Sequence, residues 1–248
     1  MSNWEIRKGE HLDDLQNGYR IIQAEKGFRF SMDAVLLAAF VRLKKGGRVL
    51  DMGTGTGILP VLLCARTEAC HFTALEIQES VAEMAARSVA GNHLEDRIAV
   101  IQGDIREAAA RFGAASFDAV VSNPPYMIGN HGLVNPDEGV AISRHEVLLT
   151  FRELAAQTAL VLKSGAPFYL VHRPFRLAEI MDVLREVHLE PKRMRLVYPY
   201  ADREPNLVLL EARQGGRPRL QVEKPLIVYR EPGFFTDEVR SVYEGGSL

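Results

Sequence analysis

From residue 48 onward, short apolar segments alternate with longer segments of helical periodicity. This alternation predicts an α/β fold in which a mostly parallel seven-stranded sheet carries helices on both faces. Only a loop separates the final two strands, so the last strand should run antiparallel. The predicted strands cover residues 49–50, 71–77, 98–101, 117–122, 167–171, 194–198 and 207–211. The predicted helices cover residues 58–66, 79–92, 144–162 and 176–188.

The two ends of the chain lie outside this alternation. Near the N-terminus, the alternating Phe28 and Phe30 suggest a small β-ribbon, and an Ala- and Leu-rich helix is expected over 33–43. No linker divides the chain, which we interpret as a single domain. Residues 1–45 would then form an N-terminal extension of that domain, and residues 215–248 a C-terminal tail.

Composition excludes several classes of protein. The formal net charge is −2, from 30 basic and 32 acidic residues, so no global basic excess marks a nucleic-acid-binding domain, although a local basic face stays possible. Cys64 and Cys70 have no metal-ligand spacing around them and are expected to be reduced, buried thiols, with no metal. No signal peptide core and no apolar run of about 20 residues is present, which predicts a cytoplasmic protein.

A glycine-rich loop follows the first strand of the alternation. A dinucleotide fingerprint, Gly-x-Gly-x-x-Gly, fails here because its third glycine would fall on Ile58 or on Pro60. The acidic Asp51 suits a cofactor that carries a positive charge and an amine rather than a pyrophosphate, and S-adenosylmethionine has both. The predicted cofactor-binding residues of this segment are Asp51, Gly53, Thr54, Gly55 and Gly57.

Acidic residues also end the next two strands. A carboxylate at Glu76 can accept hydrogen bonds from both hydroxyls of a ribose, and Asp104 can accept one from an adenine amino group while Ile105 packs on the ring. Any one of these acids could be an ordinary turn residue. Three in order at the ends of successive strands predict a single ligand, because ligands of open α/β sheets bind at the carboxyl ends of the strands.

The fourth strand ends in Asn123-Pro124-Pro125-Tyr126. An amino group on a conjugated system is a poor nucleophile, since its lone pair is delocalised. The Asn123 side-chain oxygen and the Pro124 carbonyl can accept hydrogen bonds from its two N–H groups and so free that lone pair. The two prolines would hold these acceptors rigidly. Tyr126 can stack on a flat substrate. The motif therefore predicts catalysis on a planar amino nitrogen, without specifying the molecule.

These segments resemble known enzymes. The glycine loop resembles motif I of Rossmann-like methyltransferases, and residues 123–126 resemble the amino-methyltransferase signature, which serves adenine, cytosine, guanine and glutamine nitrogens. Flanking blocks are similar to those of the bacterial valine-tRNA adenine-N6 methyltransferases, at residues 18–23, 28–37, 142–146, 171–174, 190–195, 225–229 and 236–239. This resemblance implies S-adenosylmethionine as cofactor, S-adenosylhomocysteine as product, and adenosine 37 beside the tRNA anticodon as substrate. It also implies that Asp33 closes over the cofactor.

The substrate would need cations for its phosphates. The resemblance makes residues 126–145 a substrate-side lid, and Arg144, His145 and Arg173 are predicted to bind substrate, with His145 ambiguous between phosphate binding and a helix start. Two alternatives stay open: methylation of an rRNA base or a protein glutamine, and a non-catalytic S-adenosylmethionine-binding protein. Further candidate cations are Arg176, Lys192, Arg193, Arg195, Arg217 and Arg219.

Overall fold

The computed structural model of the chain describes residues 4–15, 18–25, 32–68, 70–124 and 149–248. At the N-terminus, β1 (Glu10–Asp14) and β2 (Arg20–Ala24) pair as an antiparallel ribbon. This ribbon precedes Phe28 and Phe30, whose alternation suggested one and which lie outside the described residues, so that prediction stays untested. The ribbon leads to α1 (Met32–Phe40), which is buried along almost its entire length because it is Ala-, Leu- and Val-rich.

The central sheet contains all seven predicted strands. The order across the sheet is β8-β9-β7-β6-β3-β4-β5. Strand β9 is antiparallel to both of its neighbours, and the other pairs in this order are parallel. The predicted fold class is therefore confirmed. The strands are β3 (Arg48–Met52), β4 (His71–Glu76), β5 (Ile98–Gln102), β6 (Ala119–Ser122), β7 (Pro167–His172), β8 (Leu189–Tyr198) and β9 (Leu207–Gln214).

Helices cover both faces of the sheet. Successive residues of β3 point into different hydrophobic clusters: Val49 packs with residues of α1 and α2, whereas Leu50 packs with residues of the helices after β5, β6 and β7. A strand that is buried on both faces appears in the sequence as a continuous apolar run. The helices after α1 are α2 (Ile58–Arg66), α3 (Glu79–Gly91), α4 (Ala108–Phe112), α5 (Phe151–Val161), α6 (Leu177–Glu186) and α7 (Asp237–Tyr243).

Several elements differ from the prediction. Helix α5 begins at Phe151 rather than near residue 144, because the Thr150 side chain caps it and Glu153 completes a capping box. Strand β8 begins at Leu189, five residues before the predicted start, and passes through a bulge between Pro191 and Arg193. A 3₁₀ turn and the short α4, which together follow β5, were not predicted.

The C-terminal segment packs on the body of the protein. Two short strands of the tail run parallel to β8 and extend the sheet to nine strands among the described residues. Residues Leu226, Val228, Val239 and Val242 are buried in the same cluster as α1 and α2. The division into extension, domain and tail stays a prediction. The tail strands are β10 (Gln221–Val222), β11 (Leu226–Ile227), β12 (Tyr229–Glu231) and β13 (Phe234–Phe235).

Candidate cofactor and amino-group site

The glycine loop leaves the sheet at a topological switch point. Strand β3 lies between β4 and β6, so the chain connections on its two sides run in opposite directions across the sheet. Parallel strands in such sheets leave a crevice at their carboxyl ends, where ligands bind. The loop 53–57 and the residues that follow β4, β5 and β6 all lie at this edge.

The loop needs its glycines for backbone conformation and for close approach. Gly53, Gly55 and Gly57 have φ values of +76°, +57° and +86°, which side-chain-bearing residues rarely adopt. A Cβ on Gly57 would lie 3.4 Å from the Cβ of Ala85, so α3 packs directly behind the loop. A Cβ on Gly55 would meet nothing within 4 Å among the described residues, so that side of the loop is open to a ligand.

The carboxylate of Glu76 braces this loop. One oxygen accepts a hydrogen bond from the Gly55 N–H at 2.9 Å, and the other accepts one from the Gln78 N–H at 3.0 Å. Glu76 is only 6% exposed. Each carboxylate oxygen has a second lone pair, so the predicted acceptance of two ribose hydroxyls is compatible with these bonds. The bracing role was not predicted, because it depends on the conformation of the loop.

Asp51 is a buried carboxylate whose oxygens have no hydrogen-bond partner among the described residues. It is 0% exposed, and the hydroxyl of Thr54, 4% exposed, likewise has no partner there. Burial raises the pKa of Asp51 to about 7; proximity to the Thr54 hydroxyl opposes this, and the Glu76 carboxylate adds to it. An unsatisfied buried carboxylate is costly, so its retention indicates a polar ligand. The amine and positive charge of S-adenosylmethionine fit this acceptor set.

The predicted adenine contacts lie beside the loop. The side chain of Ile105 approaches Gly53 closely, with its Cδ1 3.7 Å from the position of a Cβ on that glycine. Asp104 accepts hydrogen bonds from the Arg106 backbone N–H at 2.9 Å and from its Nε at 2.8 Å. The Arg106 guanidinium holds the pKa of Asp104 below its usual range. An adenine amino group would share this carboxylate with Arg106.

Strand β6 brings the amino-group motif next to the cofactor loop. The Ser122 hydroxyl donates a hydrogen bond to the Met52 carbonyl at 2.7 Å, which ties the last residue of β6 to the last residue of β3. Asn123 and Pro124 follow directly and are half-buried. Four predicted site residues lie outside the described residues, namely Pro125, Tyr126, Arg144 and His145.

Strand β7 delivers two more side chains to this edge. His172 is buried, and its Nδ1 accepts a hydrogen bond from the Arg173 N–H at 2.8 Å. Burial, followed by the positive charge of Arg176, lowers the pKa of His172 to about 4, so the ring is neutral at pH 7. The guanidinium of Arg173 donates to the Asn206 carbonyl at 3.1 Å. Arg173 was predicted from the sequence, whereas His172 was not given a role.

The remaining candidates are an acidic residue on α1 and two arginines of β8. Asp33 lies in the first turn of α1, is 8% exposed, and belongs to a helix that packs against α2. Arg193 and Arg195 are 4% and 2% exposed and form internal ion pairs with Glu211 at 3.1 Å and Glu238 at 2.8 Å, which excludes them as surface phosphate contacts.

Within the described part of the chain, no cluster of His, Cys, Asp or Glu could hold a metal ion, and no helix could cross a membrane.

Comparison with known proteins identifies the relatives of this chain. A model of the methyltransferase small domain matches residues 30–138. A tRNA1(Val) (adenine(37)-N6)-methyltransferase from Bacteroides thetaiotaomicron is 32% identical over 188 residues, which cover 75% of this chain and 72% of that protein. An enzyme with the same description from Porphyromonas gingivalis is 28% identical over 228 residues, covering 89% of each chain.

Solved structures agree on the architecture. A predicted O-methyltransferase from Agrobacterium tumefaciens superposes with a TM-score of 0.72 at 26% identity, covering 88% of this chain and 98% of that one. A geranyl diphosphate C-methyltransferase from Streptomyces coelicolor, solved with S-adenosylhomocysteine, gives a TM-score of 0.56 at 12% identity and covers 74% of this chain and 79% of that one. The second likeness concerns the fold alone.

The fold, the glycine loop and the matched domain together define an S-adenosylmethionine-dependent methyltransferase. Within this class, the chain belongs to the family of the tRNA1(Val) (adenine(37)-N6)-methyltransferases. The resemblance predicted from the sequence motifs is therefore confirmed.

Proposed function

We propose that this protein transfers a methyl group from S-adenosylmethionine to the N6 nitrogen of adenosine 37 in tRNA. The observation that carries the proposal is the position of Asn123 and Pro124, which follow β6 where Ser122 ties that strand to the end of β3. On this assignment, Asn123 and Pro124 would form an acceptor pair for an amino group next to the cofactor loop. The names of the family members support adenine 37 of tRNA as the particular substrate.

S-adenosylmethionine supplies a methyl group on a sulfonium, which is already an activated donor. The protein's contribution is binding and orientation. Asp51 and Glu76 would hold the cofactor. The Asn123 side-chain oxygen and the Pro124 carbonyl would accept hydrogen bonds from the two N–H groups of the substrate amine. These acceptors favour the positive charge that develops on nitrogen. The surplus proton can then pass to water, so the reaction needs no strong base.

An anticodon-loop adenine suits this site physically. Such a base is unpaired and can leave its stack at little cost, whereas a base in a duplex must first be unpaired. We assign base stacking to Tyr126 and phosphate contact to Arg173, with Arg144 and His145 as further contacts to the substrate. Asp33 would close over the cofactor. The fixed φ of a proline at position 125 would stiffen the chain after Pro124.

The test uses purified protein, S-adenosylmethionine with a labelled methyl group, and separate tRNA, rRNA and protein fractions from a strain that lacks the gene. We expect N6-methyladenosine in tRNA, located at position 37 by fragment mass spectrometry. Label in rRNA or in protein glutamine would refute the proposal and support the first alternative. Cofactor binding without label in any fraction would support a non-catalytic protein.

Asn123→Ala separates chemistry from binding. Loss of one oriented acceptor should reduce kcat by roughly 100-fold or more, by analogy with the removal of an oxyanion donor. The affinity for S-adenosylmethionine, measured by calorimetry, should change less than about twofold. An equal loss of cofactor affinity would contradict the role assigned to Asn123.

A further inference from the structure

Phe175 is an exposed aromatic residue at the edge of the sheet that holds the site. Its side chain is 67% exposed, more than any other large hydrophobic residue of the described chain. It lies in a 3₁₀ turn, Pro174–Arg176, between β7 and α6. Pro174 fixes the backbone at the start of this turn, so the ring is held at the surface on a stiff support.

The turn adjoins the amino-group motif. Strand β7 pairs with β6, with Leu170 opposite Ser122, and β7 ends two residues later at His172. Phe175 follows three residues further on, so its Cα lies within about 10 Å of the end of β7. Neighbouring strands are about 4.8 Å apart. Phe175 is therefore one strand away from the position at which Asn123 leaves the sheet.

Two arginines lie beside the ring. Arg173 and Arg176 flank Phe175, and Arg173 donates a hydrogen bond to the Asn206 carbonyl. Burial is the main cause of the lowered pKa of His172; the positive charges of Arg176 and Arg173 add to it, and the Glu179 carboxylate opposes them. Arg176 forms an ion pair with Glu179, with its Nη2 2.5 Å from a carboxylate oxygen, which fixes the guanidinium beside the turn.

A second exposed aromatic residue of the described part of the chain provides a contrast. Phe234 is 62% exposed on the β12–β13 hairpin, but residues 229–244 contain two arginines against four acidic residues. An excess of negative charge disfavours a phosphate backbone. Comparable exposure in a segment with an acidic excess makes Phe234 a control for Phe175.

We propose that Phe175 is a stacking platform for an unpaired base of the tRNA next to the methylated adenosine, with Arg173 contacting the adjoining phosphate. This proposal rests on the proposed function and deepens it. Base stacking on an exposed aromatic ring, combined with nearby arginine, is a common way in which proteins hold single-stranded RNA. The target adenine enters the site beside Asn123, while its neighbour in the loop stacks on Phe175.

The experiment measures tRNA binding and methylation for Phe175→Ala, Phe175→Leu, Phe175→Tyr and Phe234→Ala. Loss of one stacked base should weaken tRNA affinity by about fivefold to 100-fold in Phe175→Ala. Phe175→Leu should behave like Phe175→Ala, because it keeps an apolar side chain without a π-face. Phe175→Tyr and Phe234→Ala should stay within about twofold of the wild type. Cofactor affinity should be unchanged in all four variants, which also shows that they are folded.

Several outcomes would overturn this inference. If Phe175→Leu binds tRNA as well as the wild type, stacking is not the interaction; if Phe234→Ala is equally impaired, the effect is not specific to the turn. A wild-type dimer that Phe175→Ala converts to a monomer in sedimentation would assign the ring to a protein interface instead. A wild-type enzyme that methylates tRNA while Phe175→Ala does so equally well refutes this inference alone. No methylation of tRNA by the wild type would refute the proposed function.

Discussion

As pH rises, Asp51→Asn without cofactor should gain stability relative to the wild type, and the substitution should weaken cofactor binding. Burial raises the pKa of Asp51 from its ordinary value of 3.8 to about 7. Between these values the folded protein retains a proton that the unfolded chain releases, so the wild type loses stability as pH rises toward 7. The neutral asparagine has no such dependence on pH.

The magnitude follows from the pKa. Between about pH 5 and pH 7, the wild type loses about 1.36 kcal/mol per pH unit, or about 3 kcal/mol in total. The loss is complete above pH 7. The difference in the free energy of unfolding between Asp51→Asn and the wild type should therefore shift by about 3 kcal/mol in favour of the variant between about pH 5 and pH 8.5. This shift does not depend on the constant cost of burying the amide group.

Urea unfolding of the protein without cofactor at both pH values measures this shift, and calorimetry at about pH 8 measures S-adenosylmethionine affinity. We expect at least tenfold weaker cofactor binding, the size of one lost charge-assisted hydrogen bond. Asp118→Asn is the control. Burial opposes ionisation of Asp118, but Lys163 and the Arg48 N–H outweigh it and lower its pKa. Asp118 is therefore ionised in both the folded and the unfolded protein above about pH 5, so the stability difference between Asp118→Asn and the wild type should be the same at both pH values, and cofactor affinity should be normal. An Asp51→Asn stability difference that is equal at both pH values would refute the reasoning, as would unchanged cofactor affinity.

Three further predictions concern single residues. Glu76→Gln should weaken S-adenosylmethionine binding about tenfold or more in calorimetry, with kcat at saturating cofactor nearly unchanged, because one charge-assisted bond to the ribose is lost; unchanged affinity would refute the ribose assignment. Thr150→Ala should lower the free energy of unfolding by about 1 kcal/mol in urea titrations, since it removes the cap of α5, whereas Thr150→Ser should retain it; equal losses in both would contradict the capping role. His172 has a folded pKa of about 4, below its unfolded value of 6.5, so the wild type should lose stability as pH falls from 6.5 to 4; His172→Gln should lose less over this range, and identical pH profiles would contradict the buried neutral ring.

Local and periodic features of the fold were predictable from the sequence. Strands β3, β4, β6 and β7 are largely buried on both faces and therefore appear as apolar runs. Helix α2 has the predicted bounds because Gly57 and the apolar residues after it mark its start. The late start of α5 was also encoded locally, in the capping pair Thr150 and Glu153, but apolar periodicity continues upstream and hid it.

Features that depend on distant residues were not predictable. Arg193 and Arg195 appear in the sequence as surface cations, but Glu211 and Glu238 from other elements neutralise them inside the protein. The order of the acids on successive strands indicated the cofactor site. The positions of Glu76 and Asp104 could therefore be predicted from the sequence. Their hydrogen-bond partners, Gly55 and Arg106, could not, because these contacts depend on the conformation of the loops.

The Ser122–Met52 hydrogen bond has a consequence for how such an enzyme can acquire new substrates. It joins the strand that leads to the cofactor loop to the strand that leads to the proposed amino-group acceptors. The spacing between donor and acceptor is then fixed by the sheet, and methyl transfer requires reacting atoms about 3–3.5 Å apart. Surrounding loops and turns, such as the one that carries Phe175, can change without altering that spacing. Recognition and reaction geometry are thereby separable, and a change of substrate does not require the catalytic distance to be rebuilt.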